Sequence, residues 1–250
     1  MSATLAGAPG DCCRKTVQHD GEARGKVETI AGVETYVARP ADRSNKKVIL
    51  FFSDVYGALY INAELIMDYW ADNGYLVLGL DYFEGDSMQK HPDRDQFDFP
   101  GWVKAKQERA AVLIPPWVEA IKKDYGECRY KRTYCTGYCF GAPYVMEHLN
   151  TDWIRAGAFG HPAFLNEDHF RNIKQPLLLS CSEIDHTFPV ESRRRAEDIL
   201  VEGKKTYFIQ VFGSVAHGFA LRGDPKVPIA RWSKEESARS ILNWFTHFSD

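Results

Sequence analysis

The run Val48-Ile49-Leu50-Phe51-Phe52 has no polar residue to turn toward water, so a strand built from it must be covered on both faces. Tyr75 to Leu80 reads as the next buried strand, and further strands are expected at Tyr130 to Tyr138, Ala156 to Phe159, Leu177 to Ser182 and Tyr207 to Phe212. Helical spacing fills the intervals. Leu65, Ile66, Tyr69 and Trp70 share one side of a helix predicted over Asn62 to Asn73, which Gly74 ends. Further helices are expected over Gly101 to Lys123, interrupted near Pro115-Pro116, and over Phe140 to Leu149, Val190 to Glu202 and Ser233 to Phe248. Alternation through Val27, Ile30, Val33, Tyr36 and Val37, with Gly32 between, adds an opening hairpin. Asp81 to Pro100 lacks clear periodicity and reads as an excursion over the sheet edge. Strands alternating with helices imply an α/β fold, a mostly parallel central sheet with helices on both faces.

A chain of 250 residues can bury one sizeable core, and no linker, repeat or low-complexity tract divides it. One domain over 1–250 is expected, with an N-terminal extension of about residues 1–25. A net charge of −3 gives no electrostatic reason for nucleic acid or an anionic membrane as partner. The run Arg193-Arg194-Arg195 is diluted by Glu191, Glu197 and Asp198, as on a solvated helix face. No apolar run is long enough to span a bilayer, and Met1 to Gly10 lacks the basic start and apolar stretch of a secretory signal. The expected location is therefore the cytoplasm. Six scattered cysteines with no Cys-x-x-Cys pair agree with that compartment. Cys12, Cys13 and His19 could in principle hold a metal, but their spacing is not a standard one, and thiols in an N-terminal extension are the better reading. No metal or cofactor is expected, and the sequence neither requires nor excludes a homodimer.

The chemistry concentrates at Gly137-Tyr138-Cys139-Phe140-Gly141, between a predicted strand and a predicted helix. This is a nucleophile elbow with cysteine in the position more often held by serine. The turn is tight, so the neighbours must be nearly without side chains. A helix starting just beyond Cys139 aims backbone N–H groups at the sulfur, which favours a thiolate. Nucleophile, acid and histidine follow one another in that order on such a fold. Two later segments match: Cys181-Ser182-Glu183-Ile184-Asp185-His186-Thr187-Phe188-Pro189 after one strand, and Val215-Ala216-His217-Gly218-Phe219 after the last. His217 is placed to act as general base toward Cys139, and Asp185 to orient its ring. Glu183 and His186 are neighbouring rivals, and a helix cap or a surface loop histidine is the bland alternative. His161, at the end of the Ala156 to Phe159 strand, either looks into the site or satisfies a local turn.

These motifs, together with His217-Gly218-Phe219-Ala220, resemble the dienelactone hydrolase (carboxymethylenebutenolidase) family of the α/β-hydrolase superfamily, from about Lys26 to the C-terminus. Cys12-Cys13 and the wording around His217 look like its fungal-type branch. The resemblance implies hydrolysis of a small ester or lactone through a Cys-His-Asp triad and a thioester, without metal or organic cofactor. It also implies roles in Ser53-Asp54-Val55-Tyr56-Gly57: an acidic residue, here Asp54, that helps activate the cysteine, and an oxyanion hole from the N–H groups of Val55 and Phe140. An arginine that grips a substrate carboxylate in bacterial members is replaced here by Glu84, while Arg222 lies close to the position of a second. Tyr56, Tyr82, Phe83 and Phe219 are candidates for an aromatic pocket, with the core as the rival reading.

Reactivity supports this choice of bond. A thiolate attacks an activated carbonyl well, and an enolate leaving group asks little of the acid. Two alternatives stand beside the hydrolase: a binding module that has kept the fold without catalysis, suggested by Asp54 and Glu84, and a lactone-opening or isomerising enzyme that adds no water.

Overall fold

The computed structural model describes residues 2–92, 97–126 and 132–249. Its ten strands are β1 (Thr4–Ala6), β2 (Lys26–Ile30), β3 (Val33–Ala38), β4 (Lys47–Phe52), β5 (Leu76–Leu80), β6 (Arg132–Cys139), β7 (Ile154–Pro162), β8 (Leu165–Asn166), β9 (Leu177–Ile184) and β10 (Tyr207–Ala216). Eight form one sheet in the order β10-β9-β7-β6-β4-β5-β3-β2. The pairings from β10 through β5 are parallel, and the β2–β3 hairpin closes one edge antiparallel through β5. The short β1 and β8 pair separately.

The apolar runs behave as their composition requires. Val48, Leu50 and Phe52 of β4 enter one core while Ile49 and Phe51 enter the other, and β5 and β9 divide in the same way. One core takes the buried sides of α2 (Phe99–Ile121), α3 (Ala142–Leu149), α4 (Glu167–Asn172) and α5 (Val190–Glu202). The other takes α1 (Ile61–Asp72), the short α6 (Phe219–Arg222) and α7 (Pro228–His247). This is the mostly parallel sheet with helices on both faces expected from the alternation of elements.

Several boundaries move. The expected strand from Tyr130 begins at Arg132, residues 130 and 131 lying outside the described ones; it ends at Cys139, so the helix starts at Ala142. The part of the Asp81 to Pro100 excursion over 93–96 is likewise outside them. The expected break at Pro115-Pro116 is absent: α2 runs through both. Both prolines lie on its exposed face, as do Ala111 and Val112 four residues earlier, so carbonyls left without an N–H partner can be hydrated. On the opposite face Trp117 is buried and donates from Nε1 to Thr35 Oγ1 at 2.9 Å. The N-terminal extension is not a loose tail. Leu5, Ala6 and Cys13 are buried, and Gly7 is tied to Thr187 by a backbone hydrogen bond of 2.7 Å.

β5 lies on one side of β4 and β6 on the other, so chain direction across the sheet reverses between β4 and β6. The loops leaving their carboxyl ends diverge there and open a crevice. Close packing of that pair depends on Gly141: a Cβ there would fall within contact distance of the Phe52 carbonyl oxygen. At Gly137 one would stand 2.7 Å from Gly141 O. Because backbone atoms cannot yield as a flexible side chain can, Gly141→Ala is expected to cost about 3 kcal/mol or more in urea denaturation. An unchanged denaturation midpoint would contradict this packing.

Candidate active site

Cys139 ends β6 with φ 48°, a left-handed conformation that costs a non-glycine residue roughly 1–3 kcal/mol. The turn is held by Gly141 N–H to Tyr138 O at 2.8 Å and Ala163 N–H to Cys139 O at 3.1 Å. Among the described residues, no backbone carbonyl takes the N–H of Val55 or Phe140, the two assigned by resemblance to an oxyanion hole. The expected push of the helix terminus toward a thiolate is not the dominant influence on Cys139. Burial is the larger effect and pushes the thiol well up, with the Cys13 thiol acting in the same direction and Arg222 against it.

β9 and β10 deliver the other two groups. Asp185 follows β9 and His217 follows β10, where Gly218 at φ 95° turns the chain into α6. His217 Nδ1 lies 2.9 Å from Asp185 Oδ1, with both side chains almost fully buried. Asp185 Oδ1 also accepts from the N–H groups of Thr187 (3.0 Å) and Phe188 (3.2 Å) and from the Thr187 hydroxyl (2.7 Å), and Oδ2 accepts from Ser182 at 3.2 Å. Burial works against its charge, but the hydrogen bond and charge of His217, followed by the Thr187 hydroxyl, bring its pKa down to about 2. For His217, burial favours the neutral ring, yet Asp185 and then Cys13 outweigh it and raise the pKa to about 9. With Nδ1 committed to Asp185, Nε2 is the ring atom left for the thiols, and one nitrogen of His217 and the sulfurs of Cys13 and Cys139 all lie within 4.8 Å of one another. Of the two rivals, Glu183 turns away from this group, whereas His186 stays beside it, one ligand atom each of Asp185, His186 and His217 lying within 4.8 Å of one another. Glu183 is exposed and accepts from Ser214 N–H at 2.6 Å, while His186 is exposed with its ring 5.4 Å from that of His217.

The principal surprise is Cys13. Its Sγ lies 3.8 Å from Cys139 Sγ, and neither cysteine has exposed surface. The extension, through the 3-10 turn Asp11–Arg14, lies across Cys139 as a strap. Arg222 secures it by donating to the carbonyls of Cys13 (2.9 Å) and Lys15 (2.8 Å), and Tyr56 donates from its hydroxyl to Arg14 O at 2.7 Å. Arg222 also pairs with Asp54 at 2.8 Å, both buried, and its guanidinium stands 5.4 Å over the Tyr56 ring. Burial opposes its charge, but Asp54, followed by Cys13 and Cys139, keeps Arg222 protonated. Burial pushes Asp54 upward while Arg222 opposes that shift, so the carboxyl implied to activate the cysteine is engaged with this cation. His19 is distant from this chemistry and bonds Gly223 O at 2.8 Å and Lys234 at 3.0 Å.

The remaining residues divide. His161 is fully buried, its ring 4.9 Å from that of His217, and neither of its nitrogens has a hydrogen-bond partner among the described residues. Burial, then the neighbouring His217, holds it neutral. Tyr82 and Phe83 are buried 5.3 and 5.2 Å from the Phe140 ring, forming a wall behind the elbow. Phe219 packs on His161 and Phe212 in the second core. Glu84 is not brought to the sulfur environment. It is exposed and paired with Arg109 of α2 at 2.7 Å, because its φ of 54° turns the chain outward. A cavity of about 430 Å³ borders His217, lined by Lys15, Gly218, Phe219 and Arg222 among others. A second of about 370 Å³, between α1 and α7, touches none of these groups except through the adjoining Ala220.

With this geometry in place, comparison with known proteins is decisive. Residues 33–249 match the model of the dienelactone hydrolase family. The chain belongs to the dienelactone hydrolase family. It is 39% identical over 243 residues to dienlactone hydrolase 1 of Gibberella moniliformis, covering 94% of this chain and 93% of that one. It is 34% identical to hydrolase pyvD of Aspergillus violaceofuscus, covering 96% and 97%, and 26% identical to a carboxymethylenebutenolidase homolog of Xenopus tropicalis, covering 89% and 90%. The solved dienelactone hydrolase of Anabaena variabilis shares the fold at a TM-score of 0.63 and 12% identity, covering 90% of this chain and 97% of that one. The family match makes this chain a hydrolase of carboxylic esters or lactones. Among the described residues, no helix is long and apolar enough to cross a membrane.

Thr187 and Cys13 are the site residues that sequence reasoning left without a role. Thr187 stood inside a quoted motif, two residues past the acid, where an Asx-type turn was the available signal. Cys13 stood out only as half of the Cys12-Cys13 pair, and nothing local marks its contact with Cys139. The buried Asp54–Arg222 pair gives a direct test of the strap's foundation. Arg222→Ala removes the counterion and two hydrogen bonds to the strap, and is expected to cost about 3–5 kcal/mol in chemical denaturation. A loss below about 0.5 kcal/mol, the usual size for an ordinary surface change, would contradict the pairing.

Proposed function

We propose that Cys139 is the nucleophile of this hydrolase, with His217 as its general base and acid and Asp185 as the group that orients the ring. The carrying observation is the convergence of a strained elbow sulfur, an imidazole with a nitrogen within 4.8 Å of it and a carboxylate 2.9 Å from Nδ1 of that ring. Substrate entry displaces the strap. His217 then takes the thiol proton as Cys139 attacks the carbonyl, and the N–H groups of Val55 and Phe140 receive the developing oxyanion. The carbonyl–oxygen bond breaks, His217 protonates the leaving oxygen, and a thioester remains on Cys139. Water activated by His217 hydrolyses it.

The substrate class is a small activated ester or lactone, dienelactone-like in its enol leaving group. Recognition differs from a two-arginine grip on a carboxylate. Arg222 is neutralised by Asp54 and holds the strap, and Glu84 is turned away, so shape and aromatic contact carry more of the selectivity. Tyr56 stands over Arg222, His161 faces His217, and Tyr82 and Phe83 back the elbow through Phe140. In this reading Asp54 acts by positioning Arg222. The whole chain, extension included, works as one unit, and its buried thiols suit the reducing cytoplasm.

Cys139→Ala is expected to lower kcat/KM for an aryl ester by at least about 10³-fold, the scale on which removing a nucleophile acts. Turnover within a few-fold of the parent would contradict the assignment. The pH profile supplies a second test. A base raised to about 9 is neutral only above that value, so kcat/KM of the parent is expected to climb through a limb near pH 9. Asp185→Asn removes the carboxylate that raises it, so that limb should move to lower pH while the maximum falls. A limb unmoved by this substitution would show that His217 is not the titrating base.

A further inference from the structure

We propose that Cys13, Cys139 and His217 form a binding site for a soft divalent cation, zinc first among them, which pins the N-terminal strap onto the nucleophile. Two thiolates and an imidazole are the donors that zinc selects over magnesium or calcium. The spacing fits without rebuilding the site. Two sulfurs each about 2.3 Å from a tetrahedral zinc stand about 3.8 Å apart. Cys13 Sγ and Cys139 Sγ are 3.8 Å apart, far beyond the roughly 2.05 Å of a disulfide. The same separation also suits a hydrogen bond between the two thiols. One nitrogen of His217 lies within 4.8 Å of both sulfurs, so small side-chain rotations complete three protein ligands. The fourth position is left to water.

The outer shell is also in place. Ligating histidines characteristically use their second nitrogen to bond a carboxylate, which fixes the ring and makes the ligand more basic. Asp185 provides this contact at 2.9 Å and is itself held by Ser182, Thr187 and Phe188. Charge balances as well: two thiolates neutralise the dication, and the adjacent Arg222 is already matched by Asp54. Cys13 is presented by backbone that Arg222 and Tyr56 hold from below. Any occupant ties up the nucleophile sulfur and the base nitrogen together and fastens the strap over them. The metal-loaded chain is therefore latent, a consequence that rests on the roles proposed above for Cys139 and His217; the cation site itself does not.

The experiment uses the full chain, reduced, stripped with a chelator and titrated with cobalt(II), then zinc. The expected result is one cobalt per chain, with sulfur-to-cobalt charge-transfer absorption and the intense visible bands of tetrahedral coordination, abolished by one equivalent of zinc. Cys13→Ser and His217→Gln should each weaken zinc binding by at least about 100-fold, the upper end of what losing even an outer-shell partner costs. Zinc should also stop ester turnover at the same stoichiometry, with Cys13→Ser resisting it. A parent chain with no charge-transfer band overturns the proposal, whatever the variants do. So does a band that Cys13→Ser leaves unchanged. Turnover of the metal-free chain is measured separately: cobalt binding without any turnover would sink the catalytic reading alone, and turnover without cobalt binding would sink this one alone.

Discussion

The backbone contact between the ends of β4 and β6 sets everything at the centre of this molecule. Gly141 lies so close to the Phe52 carbonyl that no side chain fits between them, and that closeness is what forces Cys139 into a left-handed turn. The strain is supported from both sides of the sheet. Phe52 belongs to one core and Phe51 to the other, so the elbow cannot relax without disturbing both. The sulfur is thereby lifted out of the strand and set at the crevice where the sheet reverses direction.

Electrostatics then follows from burial. An isolated thiol in this position stays protonated, and an isolated imidazole stays neutral. Asp185 reverses the second tendency by committing a well-satisfied carboxylate to His217, so the ring is held as a strong base beside two sulfurs. The linkage has a defined sign. The raised histidine pKa stabilises the folded chain at pH below the ordinary value near 6.5, and that contribution is lost as pH rises through about 9. Arg222 and Asp54 form a second buried pair whose task is mechanical, since it fastens the strap that covers the site.

The features legible in the sequence are those with a local steric or periodic cause. Val48 to Phe52 could only be a strand covered on both faces, and Gly137 and Gly141 announced a turn too tight for side chains. His217 and Asp185 were readable because each follows a buried strand in the order such a sheet requires. What escaped depends on contacts between distant segments. Cys13 meets Cys139 across 126 positions of sequence, with no period or motif to signal it. The pairing of Arg222 with Asp54 was equally hidden, because an arginine shortly after His217 carries no mark of a partner 168 positions earlier. Pro115 and Pro116 suggested a break because proline lacks the N–H and crowds the carbonyl four residues earlier; here those carbonyls lie on the face of α2 open to water, while the buried face with Trp117 carries the helix through.

The central claim is that the sulfur of Cys139 carries the acyl group during turnover. Rapid acid quenching of the chain during hydrolysis of a slow aryl ester, followed by peptide mass spectrometry, tests it directly. The account predicts one acyl adduct, on the peptide containing Cys139, appearing and decaying at rates consistent with turnover. An adduct that builds instead on Cys13, or turnover that proceeds with acylation shown to outpace deacylation and yet no adduct, would contradict it.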